Sequence, residues 1–383
     1  MSSAATIFSD EEAVRPTHVE VDLRSLAENL AAIRRHVGPA KVMTILKANA
    51  YGHGLVPVAS HMLRHGADYL GVAFLEEGIL LRREGITAPI LVLGGIAGEQ
   101  IPLFLKHDLT ITAPSLEKLR LIDEAAAASG VRARVHLKVD TGMERIGIHY
   151  YSAESLLRAS LECRHVQVEG IYSHFANADA EDLSHARLQL ERFHEVLSFY
   201  EKHSLPVPLR HIANSAGILQ LPESHLDLVR PGILLFGVYP SEVCERSVTV
   251  RAALTWKSRV AYFKVVKPGH PVSYGSTWQS DHPVRVITVP VGYGDGYFRS
   301  LSNRSEVIVR GQRYPVVGRV CMDQMMVNLE QGTAYNGDEV ILLGCSEGQC
   351  ITAAELAAWA GTIPYEVLTN INTRVPRLYR GAD

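Results

Sequence analysis

Eight short apolar segments, separated by amphipathic segments of helical periodicity, occupy the chain from about residue 40 to residue 245. Strands that are apolar on both faces and alternate with helices are typical of a parallel sheet covered by helices. Eight consecutive units favour a TIM-like (β/α)8 barrel over an open doubly wound sheet, which usually has fewer units and a glycine fingerprint at its first turn. The candidate strands are Val42–Leu46, Tyr69–Phe74, Ile90–Leu93, Leu109–Ala113, Val135–Val139, Val168–Ser173, Arg210–Ala213 and Leu228–Leu235.

The chain changes character after residue 245. Short β-branched segments such as Ala252–Val266 and Val284–Val289 are interrupted by glycines and prolines, and a single helix is expected near Ala353–Ala360. We therefore predict an α/β protein with three parts: a flexible N-terminus (1–15), a barrel (16–245) and a mostly β C-terminal domain (246–383). The early strand His18–Leu23 is a candidate for the β domain rather than for the barrel.

Composition narrows the function classes. The 383 residues are 47% hydrophobic and 21% charged with a net charge of −3, which excludes extended disorder and disfavours a nucleic-acid surface or a basic membrane arm. The absence of an apolar run of about 18 residues and of a signal-peptide pattern predicts a cytoplasmic protein. The five cysteines are odd in number and lack C-x-x-C spacing, so we expect reduced thiols rather than disulfides or structural zinc.

A lysine closes the first candidate strand, since Val42–Leu46 runs directly into Lys47. Reactive groups of (β/α)8 barrels lie where a strand ends and its loop begins. Burial lowers the pKa of a lysine, and the neutral amine can form a Schiff base with an aldehyde. The alternative for Lys47 taken alone is a side chain that extends from the strand end to solvent.

Two later turns could bind the phosphate of an aldehyde cofactor. Asn214 and Ser215 follow the seventh candidate strand, and Arg230-Pro231-Gly232-Ile233 lies within the eighth. In such barrels the last two loops often bind phosphate, and a glycine lets backbone N–H groups approach an anion closely. Taken singly, each segment could equally be an ordinary turn.

Other polar residues also follow strands. Lys138 and Arg145 flank the end of the fifth strand, and His174 follows the sixth. A histidine in such a place is as often structural as catalytic. A metal site is not predicted, because neither an H-E-x-x-H motif nor a carboxylate cluster occurs.

Over residues 16–383 the chain resembles the alanine racemases, enzymes dependent on pyridoxal 5′-phosphate (PLP). The resemblance implies a PLP-binding barrel followed by a β domain. The motifs that carry it are Lys47-Ala-Asn-Ala-Tyr51-Gly-His-Gly, His136-Leu-Lys138-Val-Asp-Thr-Gly-Met, Val229-Arg230-Pro-Gly232-Ile233, Val272-Ser-Tyr274-Gly, Gly292-Tyr293-Gly-Asp-Gly and Cys321-Met322-Asp323-Gln324.

The resemblance assigns the cofactor-binding residues. Lys47 matches the lysine that binds PLP covalently, and Arg230 matches the arginine that faces the pyridine nitrogen. His174 is linked to Arg230 and supports the second catalytic base. The residues matching the phosphate-binding set are Tyr51, Ser215, Tyr365, Gly232 and Ile233.

The second base and the substrate contacts follow in the same way. Tyr274 matches a base supplied by the neighbouring subunit, which implies an obligate homodimer. Arg145 and the backbone of Met322 match contacts to the substrate carboxylate. The supporting residues are Lys138, whose position is carbamylated in many members, Asn214, the gate residue Tyr293, and Asp323.

A two-base mechanism suits racemisation, because a proton must leave one face of Cα and return to the other. A phenol has an ordinary pKa of about 10, so the second base needs cations nearby to act at neutral pH. An arginine at the ring nitrogen keeps that nitrogen unprotonated, which favours rapid reprotonation over transamination or decarboxylation.

Two residues depart from the family pattern. Glu144 stands where a small or amide residue is commoner, so the field at Arg145 is expected to differ, and Phe236 replaces a frequent tyrosine. The predicted activity is interconversion of L-alanine and D-alanine, with D-alanine used for peptidoglycan. The alternatives are a broad-specificity or serine or lysine racemase, a PLP-dependent decarboxylase, which usually has an acidic residue in place of Arg230, and a PLP carrier, which would lack the β domain.

Overall fold

A computed structural model describes residues 15–381. Except for Arg15, the predicted flexible N-terminus lies outside the described residues. The chain divides into two compact units. The barrel unit consists of Leu26–Ala50 and Leu55–Arg251, and the sheet unit contains the remaining described residues, including Tyr51–Gly54. The early strand groups with the C-terminal residues, and the barrel unit ends at Arg251.

The strands and helices have the following bounds. The strands are β1 (His18–Asp22), β2 (Lys41–Ile45), β3 (Tyr69–Val72), β4 (Ile90–Val92), β5 (Thr110–Ala113), β6 (Ala133–Asp140), β7 (Ile148–His149), β8 (Val166–Tyr172), β9 (Leu209–His211), β10 (Leu228–Val229), β11 (Leu254–Arg259), β12 (Tyr262–Val266), β13 (Val284–Val289), β14 (Glu306–Val309), β15 (Gln312–Val317), β16 (Met325–Asn328), β17 (Glu339–Ser346), β18 (Gln349–Ile351) and β19 (Arg377–Arg380). The helical segments are α1 (Leu23–Val37), α2 (Lys47–Tyr51), α3 (Leu55–Arg64), α4 (Leu75–Arg83), α5 (Ile101–Lys106), α6 (Leu116–Ser129), α7 (Ala153–Glu162), α8 (Ser184–Lys202), α9 (Ser215–Gln220), α10 (Ala353–Ala360) and α11 (Pro364–Thr369).

The barrel unit confirms the predicted parallel barrel. Its strands are ordered β10-β2-β3-β4-β5-β6-β8-β9, and each neighbouring pair is parallel. β9 and β10 stand at the two ends of this order, and two backbone hydrogen bonds link them. Asp227 N donates to Arg210 O at 3.2 Å, and Arg230 N donates to Ala213 O at 3.0 Å. The carboxyl ends of the eight strands therefore meet at one end of a nearly closed barrel.

The helices of the barrel unit follow from local signals. In α6, the Ser115 hydroxyl accepts from Lys118 N, which satisfies one of the free N–H groups of the first turn. Gly130 ends the helix with a φ of 65°, in the left-handed region that favours glycine. Leu119, Ile122 and Ala126 are buried at helical spacing.

The eighth strand is shorter than predicted. The sequence suggested Leu228–Leu235, whereas β10 ends at Val229 and Ile233–Phe236 forms a 3-10 helix. Pro231 has no N–H to continue the ladder, and Gly232 turns the chain with φ −106° and ψ −102°. Arg230 therefore begins a loop instead of lying within a strand.

The sheet unit is mostly β, as predicted. Its strands are ordered β12-β13-β16-β15-β14-β17-β11-β1-β19, with β18 paired to β17. The pairs are antiparallel except for β1 with β19. The segment 252–266 forms two strands because its bonding partner changes. Val260 N donates to the oxygen of Asp338, which precedes β17, whereas Ala261 N donates to the oxygen of Thr288 on β13.

The expectation of reduced cysteines was wrong for two of the five. Cys345 and Cys350 lie directly opposite each other in the β17–β18 hairpin and form a disulfide. Cys163, Cys244 and Cys321 are free. The pairing depends on the position of the hairpin turn, which cysteine spacing did not indicate.

No helix within residues 15–381 is both long enough and apolar enough to cross a membrane.

Candidate functional site

Lys47 lies at the carboxyl end of β2 and begins an unusual turn. Ala48, Asn49 and Ala50 have φ values of 53°, 55° and 51°, so α2 is a left-handed turn. Such a conformation costs L-residues about 1–2 kcal/mol each. Two hydrogen bonds offset part of this cost: Ala50 N donates to Leu46 O at 2.8 Å, and Leu55 N donates to Asn49 Oδ1 at 2.8 Å.

Glu77, at the start of α4, also stabilises this turn. Its Oε1 accepts from Ala48 N at 2.7 Å, and its Oε2 accepts from Ala73 N at 2.8 Å. Burial, and then the charge of Arg145, lower the pKa of Lys47, while the Glu77 carboxylate opposes this change. Glu77 was not among the predicted site residues, because its contacts depend on the order of β2 and β3 in the barrel.

A buried guanidinium lies at the start of the loop after β10. Arg230 is 3% exposed, and no carboxylate among the described residues forms an ion pair with it. Its Nη1 donates to His211 Nδ1 at 2.8 Å, and its Nη2 donates to His174 Nδ1 at 3.0 Å and to Ser173 O at 2.8 Å. The predicted link between His174 and Arg230 is therefore present in the structure.

The histidines around this guanidinium are neutral. Burial, and then the charge of Arg230, hold the pKa values of His174 and His211 well below the ordinary value. Burial lowers the pKa of Arg230 itself to about 10, which leaves it protonated at neutral pH. The result is one cation surrounded by neutral hydrogen-bond acceptors.

Lys138 is a second lysine with a perturbed pKa. It lies on β6, is 4% exposed, and its Nζ donates to Val139 O at 3.2 Å and lies 4.8 Å from the centre of the Tyr172 ring. Burial, and then the charge of Arg230, hold its pKa well below the usual value. Burial therefore favours the neutral amine form of Lys138.

The loop after β6 is shaped by Asp140. Its carboxylate accepts from Gly142 N at 2.8 Å, Met143 N at 2.9 Å and Arg145 N at 3.1 Å. This loop presents Arg145 as an exposed side chain. Glu144 adopts a φ of 54°, which explains why a small or amide residue suits this position better.

The two candidate phosphate-binding turns converge on Ser215. Its hydroxyl accepts from Gly232 N at 2.9 Å and from Leu234 N at 3.3 Å. Asn214 caps α9 through Oδ1, which accepts from Gly217 N at 2.9 Å. Backbone donors that already converge on one oxygen suit a phosphate oxygen equally well, so this set fits the phosphate group of PLP.

In the sheet unit, Tyr51 and Tyr365 lie together. Their ring centres are 6.2 Å apart. Tyr51 is buried, and burial raises the pKa of its phenol. Gly52, with a φ of 82°, allows this close packing, because a Cβ there would lie 2.2 Å from Leu368 O.

Two loops of the sheet unit are joined at Tyr293 and Met322. Tyr293 N donates to Cys321 O at 3.0 Å, and Gly294 N donates to Met322 O at 2.9 Å. Arg374 connects the same loops, since its Nε donates to Asp295 at 2.6 Å and its Nη2 donates to Asp323 at 2.7 Å. The structure thus brings together two motifs that are separate in sequence.

Tyr274 is the most exposed of the predicted site residues in the sheet unit, with 73% of its surface accessible. It lines an open groove of about 760 Å³, together with His270, Cys321 and Met326. Its neighbour Ser273 has a φ of 68° and donates to Arg319 O at 2.6 Å, which fixes the turn that carries the tyrosine.

Among residues 15–381, no group of three or more His, Cys, Asp or Glu side chains could hold a metal ion.

The chain matches two family models. The model described as alanine racemase, N-terminal domain, matches residues 21–240. The model described as alanine racemase, C-terminal domain, matches residues 253–379. Together they match most of both units of the structure.

Individual relatives agree with these matches. The alanine racemase of Carboxydothermus hydrogenoformans is 45% identical over 368 residues, which are 96% of this chain and 100% of the relative. The structure of alanine racemase from Streptomyces lavendulae, a producer of D-cycloserine, superimposes with a TM-score of 0.92 at 37% identity and covers 96% of this chain and 98% of its own. The alanine racemase of Bartonella henselae, solved with covalently bound pyridoxal phosphate, gives a TM-score of 0.87 at 27% identity and covers 95% of this chain and 99% of its own.

Proposed function

Because the chain belongs to the alanine racemase family, we propose that it interconverts L-alanine and D-alanine with PLP as its cofactor. The observation that carries this proposal is the combination of Lys47, with its lowered pKa, and the Arg230 guanidinium held by neutral histidines in the same barrel. An amine with a lowered pKa and a guanidinium that only donates hydrogen bonds suit the roles that the resemblance gives to Lys47 and Arg230.

We assign the cofactor contacts residue by residue. Lys47 would hold the aldehyde carbon, and Arg230 would donate to the pyridine nitrogen. The phosphate would be held by Ser215, by the backbone of Gly232 and Ile233, and by Tyr51 and Tyr365. PLP, when bound, supplies an electron sink that acidifies the Cα–H bond of an amino acid.

Lys47 and Tyr274 are the proposed proton carriers. A lowered pKa increases the fraction of Lys47 present as a neutral amine that can accept a proton, and Tyr274 would act on the opposite face of Cα. Arg230 Nη2 donates to His174 Nδ1, so the neutral His174 carries its proton on Nε2 and can donate from there to a phenol oxygen. Arg145 and the backbone of Met322 would orient the substrate carboxylate.

We further propose that a second copy of the chain completes each site. Support comes from the exposure of two proposed site residues in the sheet unit, Tyr274 at 73% and Met322 at 53%. A symmetric dimer would cover these side chains and supply each barrel with a tyrosine. Specific activity should fall on dilution below the dimer dissociation constant; full activity in a dilute monomer would contradict this part of the proposal.

Three measurements test the proposed reaction. Purified protein should be yellow, and borohydride reduction should bleach the colour and leave a pyridoxyl adduct on Lys47. In heavy water the protein should exchange the α-hydrogen of alanine for deuterium and convert each enantiomer to the racemate. Colourless protein that PLP cannot reconstitute, or no deuterium exchange, would overturn the proposal.

Assays with other substrates separate the alternatives. Racemisation of serine or lysine faster than alanine would indicate a different racemase, carbon dioxide release would indicate a decarboxylase, and bound PLP without turnover would indicate a carrier.

We propose that D-alanine from this reaction supplies peptidoglycan synthesis in the cytoplasm. Growth of a D-alanine auxotroph without added D-alanine, restored by this gene but not by a Lys47→Ala version, tests that role.

A further inference from the structure

Arg230, His211 and His136 are joined by successive hydrogen bonds and form what we call the inner array. His136 is its last member. His136 Nδ1 lies 2.7 Å from His211 Nε2, and the two ring centres are 4.9 Å apart. Both rings are fully buried. On its other side, the His211 ring accepts from Arg230 Nη1 at 2.8 Å. His136 is thus connected to Arg230 through a single imidazole.

The chemistry of Arg230 sets the direction of every hydrogen bond in the inner array. A guanidinium only donates, so His211 Nδ1 must accept. A neutral His211 then carries its proton on Nε2 and donates it to His136 Nδ1. His136 in turn carries its own proton on Nε2, which has no hydrogen-bond partner among residues 15–381. Burial, and then the charge of Arg230, lower the pKa of His136 to about 3, in agreement with a neutral ring.

The barrel makes specific room for the His136 ring. Gly170 is its partner on β8, and a Cβ at Gly170 would lie only 2.4 Å from His136 Nδ1. The register of the β6–β8 ladder also shifts between Val135 and His136. Glycine weakens the interior of a strand, and a bulge often redirects a side chain. The glycine and the register shift are both explained if the His136 imidazole must occupy this position on β6.

We propose that His136 is a positioning residue: by accepting a hydrogen bond from the Nε2–H of His211, it fixes the ring that orients the Arg230 guanidinium. The inference rests on the proposed function, since Arg230 is assigned there to the cofactor ring. Without an acceptor at position 136, the His211 Nε2–H would be buried and unpaired, which is unfavourable. The other tautomer would direct an N–H at Arg230, so that two donors would face each other. Either result loosens the guanidinium.

A structural role alone makes a different prediction. The His136 ring packs near Tyr69 and Tyr172, with ring centres 6.3 Å and 6.5 Å away. If packing were its only role, an apolar side chain of similar volume would replace it best. If the role of His136 is to accept a hydrogen bond, asparagine would replace it best, because the asparagine Oδ1 occupies a place near that of the histidine Nδ1 and can accept a hydrogen bond.

The test therefore compares His136→Leu with His136→Asn in the full chain as purified. For His136→Leu we expect kcat for alanine to fall at least about tenfold with little change in KM, as displaced catalytic geometry predicts. His136→Asn should recover most of the lost kcat. His225→Leu, which removes a buried ring bonded to Ile218 O elsewhere in the barrel, is the matched control and should leave kcat near the wild-type value.

A second measurement does not depend on activity. In protein labelled with 15N-histidine, the ring nitrogens of His211 should report an unprotonated Nδ1 and a hydrogen-bonded Nε2–H; His136→Leu should remove the Nε2–H signal, and His136→Asn should retain it. If His136→Leu fails to fold, Gly170→Ala serves instead, since its Cβ must displace the His136 ring. A wild-type His211 protonated on Nδ1, or wild-type kcat in His136→Leu, would overturn the proposal. A wild-type protein that shows the expected tautomer but does not racemise alanine would overturn the proposed function and leave the role of His136 standing.

Discussion

The Glu77 carboxylate accepts a 2.7 Å hydrogen bond from the backbone N–H of Ala48, the residue that follows Lys47. The same carboxylate accepts from Ala73 N and Phe74 N at the end of β3. One acidic side chain thus fixes the left-handed turn after Lys47 and also supplies negative charge near its amine.

Replacement of Glu77 by glutamine should lower the pKa of Lys47 further. The Glu77 carboxylate opposes the effects of burial and of Arg145, so loss of its charge removes an influence that favours the ammonium form. The pH dependence of Lys47 acylation in PLP-free protein should shift to lower pH. Glu77→Asp, which keeps the charge, is the control, and an upward shift in Glu77→Gln would contradict the assignment.

Removal of the Glu77 side chain should also destabilise the fold. Glu77→Ala leaves three backbone N–H groups without their acceptor, and a lost cap of this kind costs about 1–2 kcal/mol. Urea unfolding of Glu77→Ala against the exposed neighbour Glu76→Ala measures the difference. Equal stability of the two variants would show that water replaces these bonds without cost.

The buried Asp295 carboxylate should make stability depend on pH. Burial opposes its ionisation, but hydrogen bonds from Arg15 and Arg374 outweigh this effect and lower its pKa below the usual value. Its contribution is therefore complete above the ordinary pKa of about 4 and is lost as the pH falls through the lower folded-state value.

Asp295→Asn should accordingly destabilise the protein at pH 7 by about 2–3 kcal/mol, less than for a fully buried pair because the two arginines are partly exposed. The difference from wild type should begin to shrink near pH 4, where the carboxyl of the unfolded chain becomes protonated, and should be lost as the pH falls through the lower pKa of the native carboxyl. Urea unfolding across this pH range measures both effects, and a difference independent of pH would rule out the charge as its cause.

Lys138 should react with carbon dioxide. Burial and the charge of Arg230 lower its pKa and so favour the neutral amine, whose nitrogen lone pair attacks CO2, forms an N–C bond and releases one proton. The nearby cations Arg145 and Arg230 would stabilise the resulting carbamate anion. Protein equilibrated with 13C-bicarbonate should show a carbamate carbon signal that is absent from Lys138→Ala, whereas an identical signal in both proteins would place the adduct elsewhere.

The Cys345–Cys350 disulfide should add stability under oxidising conditions. It closes a short loop, for which chain entropy predicts a gain of about 2 kcal/mol. The double variant Cys345→Ser, Cys350→Ser should unfold at lower urea than wild type without reductant and at the same urea with dithiothreitol. Cys163→Ser controls for cysteine loss, and the same urea midpoint for wild type and the double variant without reductant would show that the bond is absent in solution.

Periodicity was sufficient to predict the barrel, because each strand that is apolar on both faces must be covered by helices on one side and by the barrel interior on the other. It was insufficient at the eighth strand, since an apolar segment such as Ile233–Phe236 can be buried equally well as a strand or as a 3-10 helix. Likewise, Ala252–Val266 looked continuous because the change of partner strand at Val260 leaves no mark in hydrophobicity.

The candidate site was predictable where residues follow strands or belong to family motifs. Lys47, Ser215 and Arg230 were proposed in this way. Glu77 was not, and His136 stood in a quoted motif without a role, because the contacts of both residues depend on which strands are neighbours in the barrel. Glu77 reaches the Lys47 turn because β2 and β3 pair, and His136 reaches His211 through the space left by Gly170 on β8.

The pairing of β1 has a consequence for biosynthesis. Val19 pairs with Trp256 on one side and with Arg377 on the other. A ribosome produces β1 first, yet neither neighbouring strand exists until translation has passed the whole barrel. The nascent β1 must wait unpaired while the barrel folds, and any truncation that removes residues 377–380 leaves one of its edges permanently open to other chains.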